Sequence, residues 1–119
     1  MSTLKRSQTR ETPAELLQGS LDVLILKALS WGPRHGYAIA RWLEETTRDT
    51  LAIEDGSLYP ALYRMERKRW IEAEWGVSEL GRKAKLYSLT GSGRARLAQE
   101  TRAWQRFSRA VSMVLVARG

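Results

Sequence analysis

Apolar positions recur along this chain with two different periods, and the place where the period changes organises the rest. Leu17, Leu21, Leu24, Ile25, Ala28 and Leu29 repeat at three- and four-residue spacing, which predicts a first helix reaching about Ser30. Thr12 suits its N-cap, Pro13 its first position and Glu15 its first turn. Gly19 interrupts the stripe at a cost of about 1 kcal/mol relative to alanine. Trp31-Gly32-Pro33 ends the helix, because glycine accepts a left-handed C-terminal position and proline cannot continue. A second helix is predicted from about Gly36 to Thr46, with Ile39, Trp42 and Leu43 turned inward. Residues 47 to 56, TRDTLAIEDG, are rich in turn formers and read as a connector. The third helix starts at Asp55, Gly56 or Ser57 and buries Leu58, Leu62 and Met65, which recur at i, i+4 and i+7. Ser57, Pro60, Arg64 and Arg67 fall roughly opposite, with Tyr59 and Tyr63 on a flank. Pro60 is tolerated near the start because early amides have no intrahelical partner. One side belongs to a core; the other presents small, aromatic and cationic groups outward.

From Trp70 the period becomes two. Ile71, Ala73 and Trp75 alternate with Glu72 and Glu74, the mark of a half-buried strand. A second strand is predicted at about Lys83 to Leu89, with Tyr87 and Leu89 on one face. Arg82, Lys83 and Lys85 cluster near the tip between them, so the hairpin reads as a basic wing. Thr90 or Ser92 then caps a last helix that runs nearly to the C-terminus. Leu97, Trp104 and Val111 stand seven apart, as do Phe107 and Val114, a spacing that predicts a helix–helix seam. Glu100 makes the seam imperfect. The segment VSMVLV carries too much apolar surface to stand in water on a lone helix. Packing on the first helix is one outlet and pairing with a second copy is the other; pairing is favoured in so small a chain. The expected interface combines Leu17 with Leu97, Trp104, Phe107, Val111 and Val114.

Three helices, a hairpin and a long helix make a mainly α fold with a small β-hairpin. It is a winged helix-turn-helix followed by a C-terminal dimerisation helix. The expected division is a basic arm over 1–12, the winged domain over 13–90 and the dimerisation helix over 91–119. The arm is polar and aperiodic; its Lys5, Arg6 and Arg10 either remain unstructured or lie along phosphates.

Composition narrows the chemistry. With no cysteine among 119 residues, disulfides, thiolate metal sites and a cysteine nucleophile are excluded. No apolar run is long enough to cross a membrane, and the N-terminal MSTLKRSQTRETP lacks the apolar core of a secretory signal, so a soluble cytoplasmic protein is expected. The single histidine, His35, has neither the second ligand of a zinc site nor the neighbours of a catalytic base. A structural hydrogen bond at the entry to the second helix is its expected role. No cofactor and no enzyme activity are expected, because paired carboxylates, nucleophile–base pairs and phosphate loops are all missing.

Charge adds the partner. The net charge is +7, distributed as −1 over residues 1–60 and +8 over residues 61–119. Concentrated positive charge on the helix-and-wing half favours a polyanion, through field and counterion release. A winged helix that docks on a protein instead would present an acidic or apolar recognition face. Arg64, Arg67, Lys68 and Arg82 argue for DNA.

The blocks LLQGSLDVLILKALSWGPRHGYAIA, EDGSLYPALYRMERKRWIEAEW and GRKAKLYSLTGSGRARL resemble the signature segments of the PadR family of bacterial transcriptional regulators. GPRHGY, GSLYPAL and YSLT-x-x-G are together highly specific, and the resemblance spans residues 16 to 115. The chain is similar to the family's smaller branch, with one short C-terminal helix, and to the subgroup accompanying transporter permease genes in soil bacteria. The resemblance implies a homodimer that binds double-stranded DNA at a near-palindromic operator and represses a neighbouring gene. It places Ser57, Tyr59, Pro60, Tyr63 and Arg64 in the recognition helix and Arg82, Lys83 and Lys85 on the wing. Arg67 joins them on the outward face. Tyr63 stands where related sequences more often carry histidine, and Ala84 interrupts a basic run that is longer elsewhere in the family. Some relatives hold flat aromatic effectors between tryptophans of the last helices. Trp104 therefore either lines such a ligand site or fills the interface.

Overall fold

The computed structural model describes residues 19–119. The basic arm, the Thr12-Pro13 helix start and Leu17 lie outside the described residues. The elements run α1 (Leu21–Leu29), β1 (Arg34–His35), α2 (Gly36–Thr46), α3 (Asp55–Arg67), β2 (Ile71–Val77), β3 (Lys83–Leu89) and α4 (Gly91–Val116).

Gly19 is not a defect inside a helix. It adopts φ +85°, in a turn with Ser20 that precedes α1. That left-handed conformation is open to glycine at little cost, and the regular stripe resumes two residues later. The other end of α1 stops as the sequence predicts. The Ser30 amide donates to the carbonyls of Leu26 and Lys27, and its hydroxyl donates to Lys27 at 2.6 Å. Arg34 Nε then reaches the Ala28 carbonyl at 3.0 Å, placing a cation at the negative end of the helix.

The hairpin gains a third strand. Arg34 and His35 pair antiparallel with β3, opposite Tyr87 and Leu86, giving the sheet order β1-β3-β2. β2 pairs with β3 along its whole length, from Ile71 opposite Leu89 to Val77 opposite Lys83. His35 has the structural role expected of it: Nδ1 donates to the Lys85 carbonyl at 2.9 Å. Two residues are too few to carry a period, so β1 has no signature of its own.

The core collects Ile25, Leu26 and Leu29 from α1, Ile39 and Leu43 from α2, Leu58, Leu62 and Met65 from α3, then Ile71 and Tyr87. Among the described residues no polar or charged side chain is buried, so burial of apolar area supplies the cohesion. Ala61 joins the three predicted core positions of α3. At about 1.5–3 kcal/mol for each large side chain buried, this face holds the helix against α1, α2 and β2. Pro60 sits at the sixth position of α3, beyond the free amides of the first turn. Its missing N–H leaves the Gly56 carbonyl without that helical donor, on an exposed surface where water can serve.

One apolar residue departs from expectation. Trp75 follows the alternation of β2 but is 62% exposed, because the wing has by then run past the core. α4 extends for 26 residues, about 39 Å at the helical rise. Thr90 caps it, its hydroxyl accepting from the Gly93 amide at 3.0 Å. The near end of α4 packs on α1, with Leu97 half-buried against the core; from Trp104 onward the side chains stand mostly free of the chain.

Candidate nucleic-acid interface

The outward ridge of α3 follows from what its other face buries. With Leu58, Ala61, Leu62 and Met65 inside, a rotation of 100° per residue centres the opposite side on Gly56, Pro60, Tyr63 and Arg67. All four are exposed, Tyr63 at 61%. Arg67 lies 5.8 Å from the centre of the Tyr63 ring, a cation–π pair on the ridge itself. Two expected residues sit on its flanks instead. Ser57 is half-buried on one side. Arg64, on that same side, is ion-paired with Asp22 of α1, where the two side chains are 49% and 23% exposed.

The other flank faces the wing. Tyr59 lies against Gly36 so closely that a Cβ on the glycine would stand 2.8 Å from the ring and 2.9 Å from the hydroxyl oxygen. Burial, and secondarily the Asp55 carboxylate, raise the Tyr59 phenol above its usual range. Tyr87 behind it is raised for the same first reason, helped by Glu66 and by Tyr59. Both hydroxyls are therefore neutral donors at physiological pH. Between this flank and the wing lies an open cleft of about 390 Å³ with Tyr59, Tyr63, Trp75 and Tyr87 in its walls.

Strand pairing sorts the charges of the wing onto two faces. Lys85 stands opposite Trp75 and Lys83 opposite Val77, so both lysines share the face of Ile71 and Trp75. The Lys83 ammonium group lies 5.4 Å and that of Lys85 5.6 Å from the centre of the Trp75 ring. Lys85 also reaches Glu66 of α3 at 3.3 Å, tying the wing to the helix. Glu72 and Glu74 alternate onto the opposite face. The wing therefore presents a cationic, aromatic side toward α3 and a carboxylate side away from it. Arg82 is exposed at the tip, where the Arg82 and Ser78 backbones bond at 2.8 Å.

Of the nine expected contact residues, the structure brings Tyr59, Pro60, Tyr63, Arg67, Lys83 and Lys85 onto one continuous surface, and Arg82 is exposed at the tip of the wing. Ser57 and Arg64 lie on the edge nearest α1. Reasoning from sequence missed the two carboxylates that occupy cations here, Asp22 and Glu66. Asp22 is 42 residues from Arg64, and no local pattern announces such a pair. Glu66 did carry a signal: it is seven residues from Tyr59 and so shares its flank. On α4, Trp104, Phe107, Val111 and Val114 are all exposed, and the Trp104 and Phe107 rings lie 6.1 Å apart. Among the described residues no cluster of metal-ligating side chains occurs and no helix is long and apolar enough to cross a membrane.

A three-helix unit with a basic wing is shared with known proteins. A protein of Lysinibacillus sphaericus is 32% identical over 91 residues, spanning 76% of this chain and 84% of its own. The transcriptional regulator Rv3488 of Mycobacterium tuberculosis is 35% identical over 71 residues, spanning 59% of this chain and 65% of its own. The crystal structure of a PadR-like transcriptional regulator from Bacillus cereus matches with a TM-score of 0.73 at 30% identity, covering 88% of this chain and 100% of that one. The model of the PadR-like transcriptional regulator family matches residues 25–99, which run from α1 through the wing to the first turns of α4. The chain belongs to the PadR-like family of transcriptional regulators, proteins that bind DNA and are not enzymes.

Proposed function

We propose that this regulator is a homodimeric, ligand-responsive repressor that binds a near-palindromic operator, one α3 helix in the major groove of each half-site. The observation that carries the reading is the exposed ridge of α3 continuing into the cationic face of the wing. Tyr63, Arg67 and Arg64 read base edges, with arginine able to donate two bonds to a guanine. Lys83 and Arg82 meet the adjacent backbone, adding affinity that does not depend on sequence. Tyr59 donates its hydroxyl to a phosphate at the cleft, Lys85 braces the wing, and Ser57 and Pro60 shape the helix's approach.

Pairing through α4 supplies the second half-site. Trp104, Phe107, Val111 and Val114 form one strip on a helix that its own chain leaves largely uncovered. A second copy of the same strip covers it with two-fold symmetry, which matches a palindrome. Such a dimer represses by occupying its site. Trp104 at the pairing surface is where a planar aromatic effector inserts and alters the geometry of the two halves. Quenching of tryptophan fluorescence by planar aromatics, lost in Trp104→Phe, is the expected signature.

Selection of duplexes from a random pool tests the whole reading. Enrichment of an inverted repeat, with half-sites about one helical turn apart, is expected. A pool that stays unenriched, or enriches only single unpaired sites, would overturn it.

A further inference from the structure

We infer that Thr90, Ser92 and Gly93 form a rigid joint between α4 and the exit of the recognition helix, and that this joint selects the half-site spacing of the operator. The inference rests on the proposed pairing of two copies through α4 and identifies residues that set its geometry.

The chain leaves α3 through a tight corner in which Arg69 holds φ +62°, a left-handed conformation uncommon outside glycine. The corner is held from outside by the start of α4. The Thr90 hydroxyl lies 2.7 Å from the Arg69 carbonyl and 2.9 Å from that of Trp70, sharing its proton between them. The Ser92 hydroxyl donates to Arg69 at 2.9 Å, and the Thr90 amide donates to Trp70 at 3.1 Å. Two carbonyls at the end of the recognition helix thus receive three groups from two residues of the pairing helix. The same Thr90 oxygen accepts from the Gly93 amide, so one hydroxyl both caps α4 and fastens it to the corner.

Gly93 sets how close the two elements come. A Cβ at this position would lie 2.0 Å from the Trp70 carbonyl oxygen and 2.8 Å from Leu89 Cδ1. The oxygen belongs to backbone and cannot swing aside. One turn along, the Arg96 guanidinium lies 4.7 Å from the centre of the Trp70 ring, extending the contact. With no slack at the corner, α3 and α4 move as one bracket. In a dimer joined through α4, the distance and angle between the two α3 helices are then fixed by this bracket. One base pair of added spacing both displaces a half-site along the DNA axis and rotates it around that axis, and a rigid bracket follows neither.

The test compares wild type with Thr90→Val/Ser92→Ala, which removes the hydroxyl bonds while keeping Gly93 and nearly the same volume. Affinity is measured on a series of operators with fixed half-sites and stepwise spacing, on a single half-site, and alongside dimer dissociation by sedimentation. Wild type is expected to lose about tenfold in affinity one base pair from its optimum, as for a lost base contact. The double variant is expected to flatten or shift that profile, with half-site affinity and dimerisation unchanged and Thr90→Ser restoring the wild-type profile. A variant that keeps the sharp profile overturns the joint, and so does one whose half-site affinity falls in parallel. A monomeric or spacing-indifferent wild type overturns the dimer reading itself, and the inference with it.

Discussion

Arg64 offers the sharpest test of how this surface meets DNA, because its guanidinium is already occupied. It pairs with Asp22 across the gap between α3 and α1, with Arg64 half exposed and Asp22 less so. Ion pairs this accessible contribute only about 0–1 kcal/mol once solvent screening is counted. A DNA phosphate or a guanine edge can therefore displace Asp22, and the cost of displacement is subtracted from the binding energy. Replacing Asp22 with asparagine removes the competing charge without removing volume. Operator affinity is then expected to rise by up to about fivefold, the equivalent of about 1 kcal/mol. If the freed guanidinium finds a phosphate, the slope of log K against log salt steepens by about 0.9. Between 50 and 200 mM salt that slope changes affinity by about three- to fourfold beyond the wild-type change. Fluorescence-anisotropy titrations on operator and random duplexes at both salts separate the two effects. Thermal unfolding serves as the control and should barely move. Arg64→Ala marks the opposite limit, expected to cost about 1–3 kcal/mol and relax discrimination at one base position. If Asp22→Asn instead weakened operator binding as far as Arg64→Ala does, the pair would be intact on DNA. Asp22 would then orient Arg64 rather than compete for it, and the reasoning would fail.

The two close-packed glycines should behave differently. Gly93→Ala drives a methyl into backbone and is expected to cost about 3 kcal/mol or more, whereas Gly36→Ala meets only the half-exposed Tyr59 ring and should cost about 1 kcal/mol or less; urea unfolding of both variants measures the contrast. The raised Tyr59 and Tyr87 phenols give a pH dependence of known sign. Folded values above the unfolded one make their contribution to stability complete below about pH 10 and lost as pH rises through the folded values. Denaturation midpoints should therefore fall in alkali with phenolate absorbance appearing alongside, and a Tyr59→Phe/Tyr87→Phe variant should lose that part of the slope. On α4, Phe107→Glu is expected to weaken dimerisation at least tenfold, about 1.4 kcal/mol, in sedimentation equilibrium. The circular dichroism of the winged domain should be unaffected, since Phe107 is exposed and outside the core.

The features that sequence revealed and those it concealed divide along a physical line. Periodicity reports which face of a segment is buried, and in α3 and the first part of β2 it matches the core. The i, i+4, i+7 run of α3 puts Leu58, Leu62 and Met65 at full burial, and the alternation of β2 puts Ile71 inside. Local backbone chemistry was legible as well: Pro33 follows the end of α1, and Thr90 caps α4. Periodicity failed where burial stops before the pattern does. Trp75 continues the β2 alternation into solvent, and Gly19, at φ +85°, stands in a turn ahead of α1 rather than inside its stripe.

Pairings between distant elements have no such trace. Arg64 with Asp22, Lys85 with Glu66 and the addition of β1 to β3 depend on how finished elements pack, which composition along one segment cannot encode. The segment TGSG lies between these cases. Its capping chemistry is local and was readable, but the reason for Gly93 is not. Glycine is required there by the Trp70 carbonyl, from a residue 23 positions earlier that the fold brings within 2.0 Å of a missing methyl. The same four residues therefore do two jobs, and only the one confined to a single turn of helix is visible in sequence. The other fastens the start of α4 to the corner that leaves α3, alongside the packing of α4 on α1.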